Sequence, residues 1–515
     1  MVFAPVMSDR IFTATTSGGI PVVVERIPDS QSAGFMVGVA TGSRDETPGI
    51  FGLSHLLEHT VFRETRTRDS FQMAKEMEGA GGELNAFTGR EMTAFYGITI
   101  RETASTAMDM VGDIVANPLI NEKDTELEKK IVLQELSMIE NEPETRIHDL
   151  FESQLWRGHQ LGQDEGGDKD IVARLTSGDL RAYYEEKYLI PNLAVYAAGD
   201  VDIDTTVEWA ESALDGRSGG KRNVRTAPPM PEASYEYVKT EADHLQVAMG
   251  FPTYGASHED RSALTMLSAI LGSGTSSRLF QSVREQKALV YSVYTTISQN
   301  SDASSLAAYM SCTDKNVTEA MQTTSREIGR LLAEGLDEGE LARAKRLVKG
   351  ANVRSMESTE HRLYRLCVNN MLNGSTEALE ERLAKIDAVT EDDVMRVAND
   401  VLRADRLNVV VLGKGGRDVR KMDVSDLAFR GPRTIPTRRM CQMHATGSYA
   451  YADPPVAAPR PVRTGAFEGP RSDHVPYSGI HAGRVPRIAE SVRQFTHGHG
   501  PVAPQGLQDV VLGLL

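Results

Sequence analysis

Residues 53–62 read LSHLLEHTVF, and both the fold and the chemistry are read outward from this stretch. It is predicted as a helix. Positions i and i+4 of a helix share a face, so the imidazoles of His55 and His59 point at one spot. Two zinc ligands fit that spacing, and Glu58, one turn from His55, falls beside the metal. The H-x-x-E-H order inverts the commoner H-E-x-x-H and carries the same mechanics. The alternative is a helix whose histidines face solvent or are capped.

On either side the pattern is mixed. Segments 11–16 and 20–26 alternate like strands around Ser17-Gly18-Gly19, which reads as a hairpin turn. Segment 33–40 is another strand, followed by a loop with Gly42, Asp45, Pro48 and Gly49. After the His55–His59 helix come a second helix over 70–79, strands over 83–87 and 93–100, and helices over 102–117 and 122–140. Antiparallel-type strands with segregated helices predict an α+β fold.

The stretch DGRSGGKRNVRTAPPMP (215–231) is rich in Gly, Pro and basic residues, a linker signature. Beyond it the pattern starts again, with strands over 235–239 and 246–251 and a helix over 260–271. GVATGSRDE (38–46) before the first helix is echoed by GFPTYGASHED (250–260) before the second. We read an internal duplication of about 200 residues per copy, in the usual size range of a domain. The second helix carries no His or Glu, so only the first copy is equipped for metal. The expected domains are 8–215, 216–233 as linker, 234–414, and a disordered tail over 415–515. Residues 430–515 hold 11 of the 22 prolines and ten arginines against five acidic residues, with no lysine and no periodicity. That composition does not build a core.

The net charge of -16 disfavours nucleic acid and anionic membrane surfaces as partners. Cys312, Cys367 and Cys441 form no CxxC, so neither a disulfide framework nor an all-cysteine zinc site is expected. No apolar run is long enough to span a bilayer, and MVFAPVMSDR shows no basic segment ahead of an apolar one. A cytoplasmic location is expected.

A catalytic zinc takes three protein ligands and leaves one position open. Glu128 and Glu135, seven apart on the 122–140 helix, face the same side. On the residues alone two readings stand. They are a ligand with its supporting carboxylate, or an acidic solvated face shared with Glu122, Glu126 and Glu140.

Resemblance supplies more. His55-x-x-Glu58-His59, Phe62, GGELNAFTGRE (81–91) and Glu128-x6-Glu135 together resemble the pitrilysin/insulysin (insulinase-like) zinc metallopeptidases. The chain is most similar to the smaller members related to the mitochondrial processing peptidase β subunit. SSRLFQSVREQKALVYSVY (276–294) resembles that family's Arg-x6-Tyr pattern. The resemblance covers about residues 10–414. It implies two homologous α+β domains forming a clamshell. It implies one zinc ion per chain on His55, His59 and Glu135, with Glu128 supporting the site and Glu58 as general base. It further implies that Arg284 and Tyr291 reach the substrate, and that Asn85, Ala86 and Phe87 form an edge strand to which an extended peptide adds. The expected function is a zinc endopeptidase acting on oligopeptides or unfolded segments, as a monomer or homodimer. The alternative is a non-catalytic partner subunit of a processing-peptidase-like complex.

Overall fold

A computed structural model describes residues 10–217, 219–427 and 429. Two sheets organise them. The first contains β1 (Ile11–Thr15), β2 (Pro21–Arg26), β3 (Ser32–Val39), β4 (Glu83–Thr88), β5 (Thr93–Ile100) and β6 (Leu193–Gly199), in the order β1-β2-β6-β3-β5-β4. The second contains β7 (Ser234–Lys239), β8 (His244–Tyr254), β9 (Val290–Ser298), β10 (Ala303–Thr313) and β11 (Asn408–Gly413), in the order β7-β11-β8-β10-β9. Apart from β1, the two sheets have one topology. A parallel pair (β2 with β6, β7 with β11) begins each, and three antiparallel pairings follow. β4 and β9 occupy the same place, each the edge strand at the end of its sheet. The chain is thus an α+β protein of two like halves.

Each half packs its own helices on one sheet face. In the first these include α1 (Leu53–Val61), α2 (Ser70–Gly79), α3 (Ala104–Ala116) and α4 (Glu122–Glu140). Strand alternation divides the faces. Phe35, Val37 and Val39 of β3 with Val195 and Ala197 of β6 join Leu53, Leu56, Leu57 and Val132 in one core. Met36, Ala194, Tyr196 and Ala198 point the other way and join a second core.

That second face is covered by the other half. Leu363, Leu366, Cys367 and Met371 of the helix Thr359–Asn373 pack on it. Reciprocally, α5 (Pro143–Leu155) of the first half lays Ile147, Phe151 and Leu155 on Ala248, Ala307, Tyr309, Val410 and Leu412 of the second sheet. The halves therefore exchange helices, and both sheets are buried on both faces. Glycines permit the approach. A Cβ at Gly38 would lie 2.7 Å from Met371 Cε, and one at Gly250 would lie 2.6 Å from Phe151 Cζ.

The segment joining the halves is extended but anchored. Asn223 donates to the Ala40 carbonyl at 2.8 Å, Arg225 pairs with Asp45 at 2.7 Å, and the Thr226 carbonyl accepts from Arg44 at 2.6 Å. The expectation of disorder from 415 does not hold through Phe429. Arg417–Arg420 is a short helix, and Val419, Leu427 and Phe429 are buried against the second core, with the Phe429 ring 6.0 Å from that of Phe251. These apolar residues are spaced too widely among polar ones to give a periodic signal. The rest of that expected tail, 430–515, and Cys441 within it, lie outside the described residues. Cys312 and Cys367 are buried free thiols. None of the described helices is long and apolar enough to cross a membrane.

Candidate metal centre

The α1 helix starts abruptly. Gly52, with φ of 96°, turns the chain into it, a left-handed conformation that glycine adopts without strain. The first-turn N–H groups need acceptors. Glu46, itself 2% exposed, supplies both carboxylate oxygens, accepting from Gly52 N and Ser54 N at 2.7 Å each. The Ser54 hydroxyl meets Tyr183 Oη at 2.8 Å. With Leu56 and Leu57 fully buried, the helix has little freedom to rotate.

This rigid helix presents His55 and His59 side by side. Their rings meet edge to face, 88° apart with centroids separated by 4.8 Å. The α4 helix packs alongside and brings Glu135 to them. His59 Nε2 is 3.5 Å from Glu135 Oε2, and His55 Nε2 is 3.9 Å from Glu135 Oε1. One ligand atom from each of the three residues lies within 4.8 Å of the others, the one such His/Cys/Asp/Glu group among the described residues.

Two observations test whether a metal fits. Glu135 Oε2 is buried with no hydrogen-bond partner among the described residues. A buried carboxylate oxygen left so is costly unless something cationic occupies the space before it. The donor set is also right. Two imidazole nitrogens and a carboxylate oxygen are zinc ligands, and tetrahedral ligands at 2.0–2.1 Å from one ion sit about 3.3 Å apart. The observed 3.5 and 3.9 Å need only small side-chain closure. The residues fit.

Glu128, one α4 face with Glu135, holds the far side of His59. Its Oε2 lies 2.9 Å from His59 Nδ1, and its Oε1 accepts from Arg63. Burial pushes the Glu128 carboxyl upward, yet the His59 hydrogen bond and the His59 and Arg63 charges hold it below the usual range. It is therefore an anion, so His59 Nδ1 is the donor and Nε2 faces Glu135. Burial likewise opposes charge on His59. The Glu128 hydrogen bond and the carboxylates of Glu58, Glu135 and Glu128 outweigh it and raise the imidazole pKa.

Glu58 accepts a hydrogen bond from the Thr88 hydroxyl. Asn85, Ala86 and Phe87 lie in β4, the edge strand that ends at Thr88. Arg284 and Tyr291 lie in the second half. Arg284 belongs to the π-helical turn Phe280–Glu285, its guanidinium 4.7 Å from the Phe280 ring centroid. Tyr291 lies near the start of the edge strand β9 and is 58% exposed. No hydrogen bond or ion pair among the described residues joins either to Glu135. Glu46, Arg63, Tyr183 and Thr88 also serve the site but belong to none of the motifs that mark its other residues. The signal for Arg63 is its place four residues after His59, one helical turn on, and for Thr88 its place inside GGELNAFTGRE (81–91). Glu46 and Tyr183 carry no local signal.

Fold and site together define a two-half α+β protein with a metallopeptidase-type His-His-Glu cluster in its first half, the one such cluster among the described residues. The model of the insulinase family (peptidase family M16) matches residues 21–168, and that of the peptidase M16 inactive domain matches 174–348. An uncharacterized zinc protease of Streptomyces coelicolor is 34% identical over 406 residues, covering 77% of this chain and 88% of that protein. The uncharacterized zinc protease YmxG of Bacillus subtilis is 30% identical over 393 residues, covering 76% and 95%. The chain belongs to the insulinase (M16) peptidase family. Two solved structures share its fold. A peptidase M16 inactive domain from Pseudomonas fluorescens has a TM-score of 0.74 at 18% identity, covering 79% of this chain and 98% of that one. A protease from Helicobacter pylori has a TM-score of 0.73 at 20% identity, covering 78% and 99%.

Proposed function

We propose that this protein is a zinc-dependent endopeptidase that hydrolyses peptide bonds of oligopeptides or unfolded segments, with one zinc ion on His55, His59 and Glu135. The observation that carries the reading is the buried Glu135 oxygen, without a hydrogen-bond partner among the described residues and 3.5 Å from His59 Nε2, with Glu58 on the same helix as both imidazoles. When bound, zinc polarises the scissile carbonyl and makes water acidic enough to be activated near neutral pH.

The chain's own residues supply the rest. Glu58 takes a proton from water as its oxygen adds to the carbonyl carbon. It then passes that proton to the amide nitrogen as the C–N bond breaks. Glu128 holds His59 in one tautomer and ring orientation. The β4 edge receives the substrate as an added strand, through main-chain hydrogen bonds. Ala86 N donates to Asn85 Oδ1 at 3.0 Å, and in this reading a peptide carbonyl takes that place. Tyr291 donates to the developing oxyanion and Arg284 holds the peptide. Main-chain pairing tolerates many side chains, so broad specificity is expected.

The test is cleavage of an unstructured peptide library, read by mass spectrometry, with and without chelator and in Glu58→Gln. The wild type should cut and lose cutting on chelation. Glu58→Gln should keep zinc and lose nearly all cleavage. Full cleavage by that variant would remove Glu58 from its role. Stoichiometric zinc with no turnover would favour a non-catalytic partner subunit instead.

A further inference from the structure

The hydroxyl of Thr88 ends a row of side chains that otherwise has no polar business with α1. Alternation along β4 sends Leu84, Ala86 and Thr88 to the α1 side, while Phe87 turns to the opposite core and packs on Tyr364 with ring centroids 5.1 Å apart. Leu84 and Ala86 pack there as apolar residues. At the next position of the row stands a threonine, 7% exposed, whose hydroxyl donates to Glu58 Oε2.

The position of that hydroxyl is fixed from both sides. Thr88 pairs with Thr93 across the β4–β5 turn, which closes with Gly89 N to the Met92 carbonyl at 2.8 Å. Ser43 N and Arg44 N donate to the carbonyls of Gly89 and Arg90 at 3.2 and 2.8 Å. From the second half, Ser301 donates to the Glu91 carboxylate through its N–H at 2.8 Å and its hydroxyl at 2.9 Å, and Arg44 pairs with the same carboxylate. The turn carrying Thr88 is therefore held by a loop of each half.

A glutamate base on a helix has several rotamers, and freezing them costs free energy that a fixed donor offsets. The donor here is also neutral. Glu128 pairs with a guanidinium, which suits a carboxylate that stays anionic, whereas a base must gain and release a proton.

We propose that Thr88 is a positioning residue for the general base: its hydroxyl sets the Glu58 carboxylate, and so ties the base to the end of the edge strand that receives substrate. This rests on the peptidase reading of Glu58 above.

The experiment uses the full chain with Thr88→Val, which keeps shape and strand propensity, and Thr88→Ser, which keeps the hydroxyl. Zinc content, melting midpoint, kcat and KM on an unstructured fluorogenic peptide are measured for each. Thr88→Val should hold its zinc and lose about ten- to hundredfold in kcat, the worth of a hydrogen bond to a charged group. Its KM should change by less than about twofold, and Thr88→Ser should recover most of the rate. A second arm needs no activity. In excess chelator, Thr88→Val should lower the melting midpoint in the wild-type background and much less in a Glu58→Ala background. Unchanged kcat in Thr88→Val, equal loss in Thr88→Ser, or additive melting shifts would each overturn the proposal. If the wild type cleaves nothing while the melting shifts are non-additive, the contact stands and the peptidase reading fails.

Discussion

Glu128 Oε2 sits 2.9 Å from His59 Nδ1, while the opposite nitrogen of the same ring faces Glu135 at 3.5 Å. The imidazole is thus gripped on one edge so that the other is free for metal. Glu128→Ala should weaken zinc binding about 10–100-fold, the usual loss when a carboxylate behind a ligating histidine is removed. Glu128→Gln, which keeps an acceptor oxygen, should lose less. Competition with a chromogenic chelator measures both, and wild-type affinity in Glu128→Ala would contradict the role.

Metal removal should cost stability as well as activity. A ligand at 100 times its Kd stabilises the folded state by about 2.7 kcal/mol. Chelator should therefore lower the melting midpoint of the wild type and leave that of His55→Ala unmoved. Equal chelator shifts in both would place the zinc elsewhere.

Glu46, which caps the first turn of α1, predicts a pH dependence. Burial pushes its carboxyl up to about 7, against the downward pull of the Ser54 and Gly52 N–H groups. The folded-state pKa thus lies above the unfolded one, near 4.5. Between these values the folded state keeps a proton that the unfolded chain has released. This contribution is complete below about pH 4.5 and is lost as pH rises through about 7. Glu46→Gln cannot titrate and keeps an acceptor. Relative to wild type it should gain on the order of 2–3 kcal/mol between about pH 5 and about pH 8. Urea unfolding at the two pH values checks this, and parallel behaviour of the two proteins would contradict it.

Arg44 joins the halves. Its guanidinium is 2% exposed and reaches both carboxylate oxygens of Asp302 at 2.7 Å, besides Glu91. Arg44→Ala leaves the Glu91 charge buried with one partner fewer and should destabilise by about 3–5 kcal/mol. Asp302, 28% exposed, faces more water, and Asp302→Asn should cost about 1 kcal/mol. Arg44→Lys should not rescue, because an ammonium lacks the planar fork. Comparable losses in the Arg44→Ala and Asp302→Asn proteins would argue against a buried clasp.

Much of this is legible in the sequence where the signal is local. His55, Glu58 and His59 share one helix turn, so their common face follows from the helical period. The 83–88 and 93–100 strands show in their composition, and the repeat of the 38–46 pattern at 250–260 announces two like sheets. Glu128 and Glu135 are harder. Their phase on α4 is readable, but nothing local separates a ligand from a solvated acidic face. The exchange of α5 and the 359–373 helix is not readable. An amphipathic stripe says that a helix packs and does not say on which sheet. Arg44, Asp302, Glu91 and Ser301 meet across 47 to 258 positions, with no periodicity to mark them. Glu46 reads as an ordinary loop carboxylate until the abrupt start of α1 gives it two N–H groups to accept.

Whether His55, His59 and Glu135 share one ion is read by X-ray absorption at the zinc edge of the loaded protein. The spectrum should show one zinc per chain with only nitrogen and oxygen neighbours at about 2.0–2.2 Å, two of them imidazole. Glu135→Ala should lose that spectrum. Sulfur in the first shell, or an unaltered spectrum and affinity in Glu135→Ala, would contradict a shared ion.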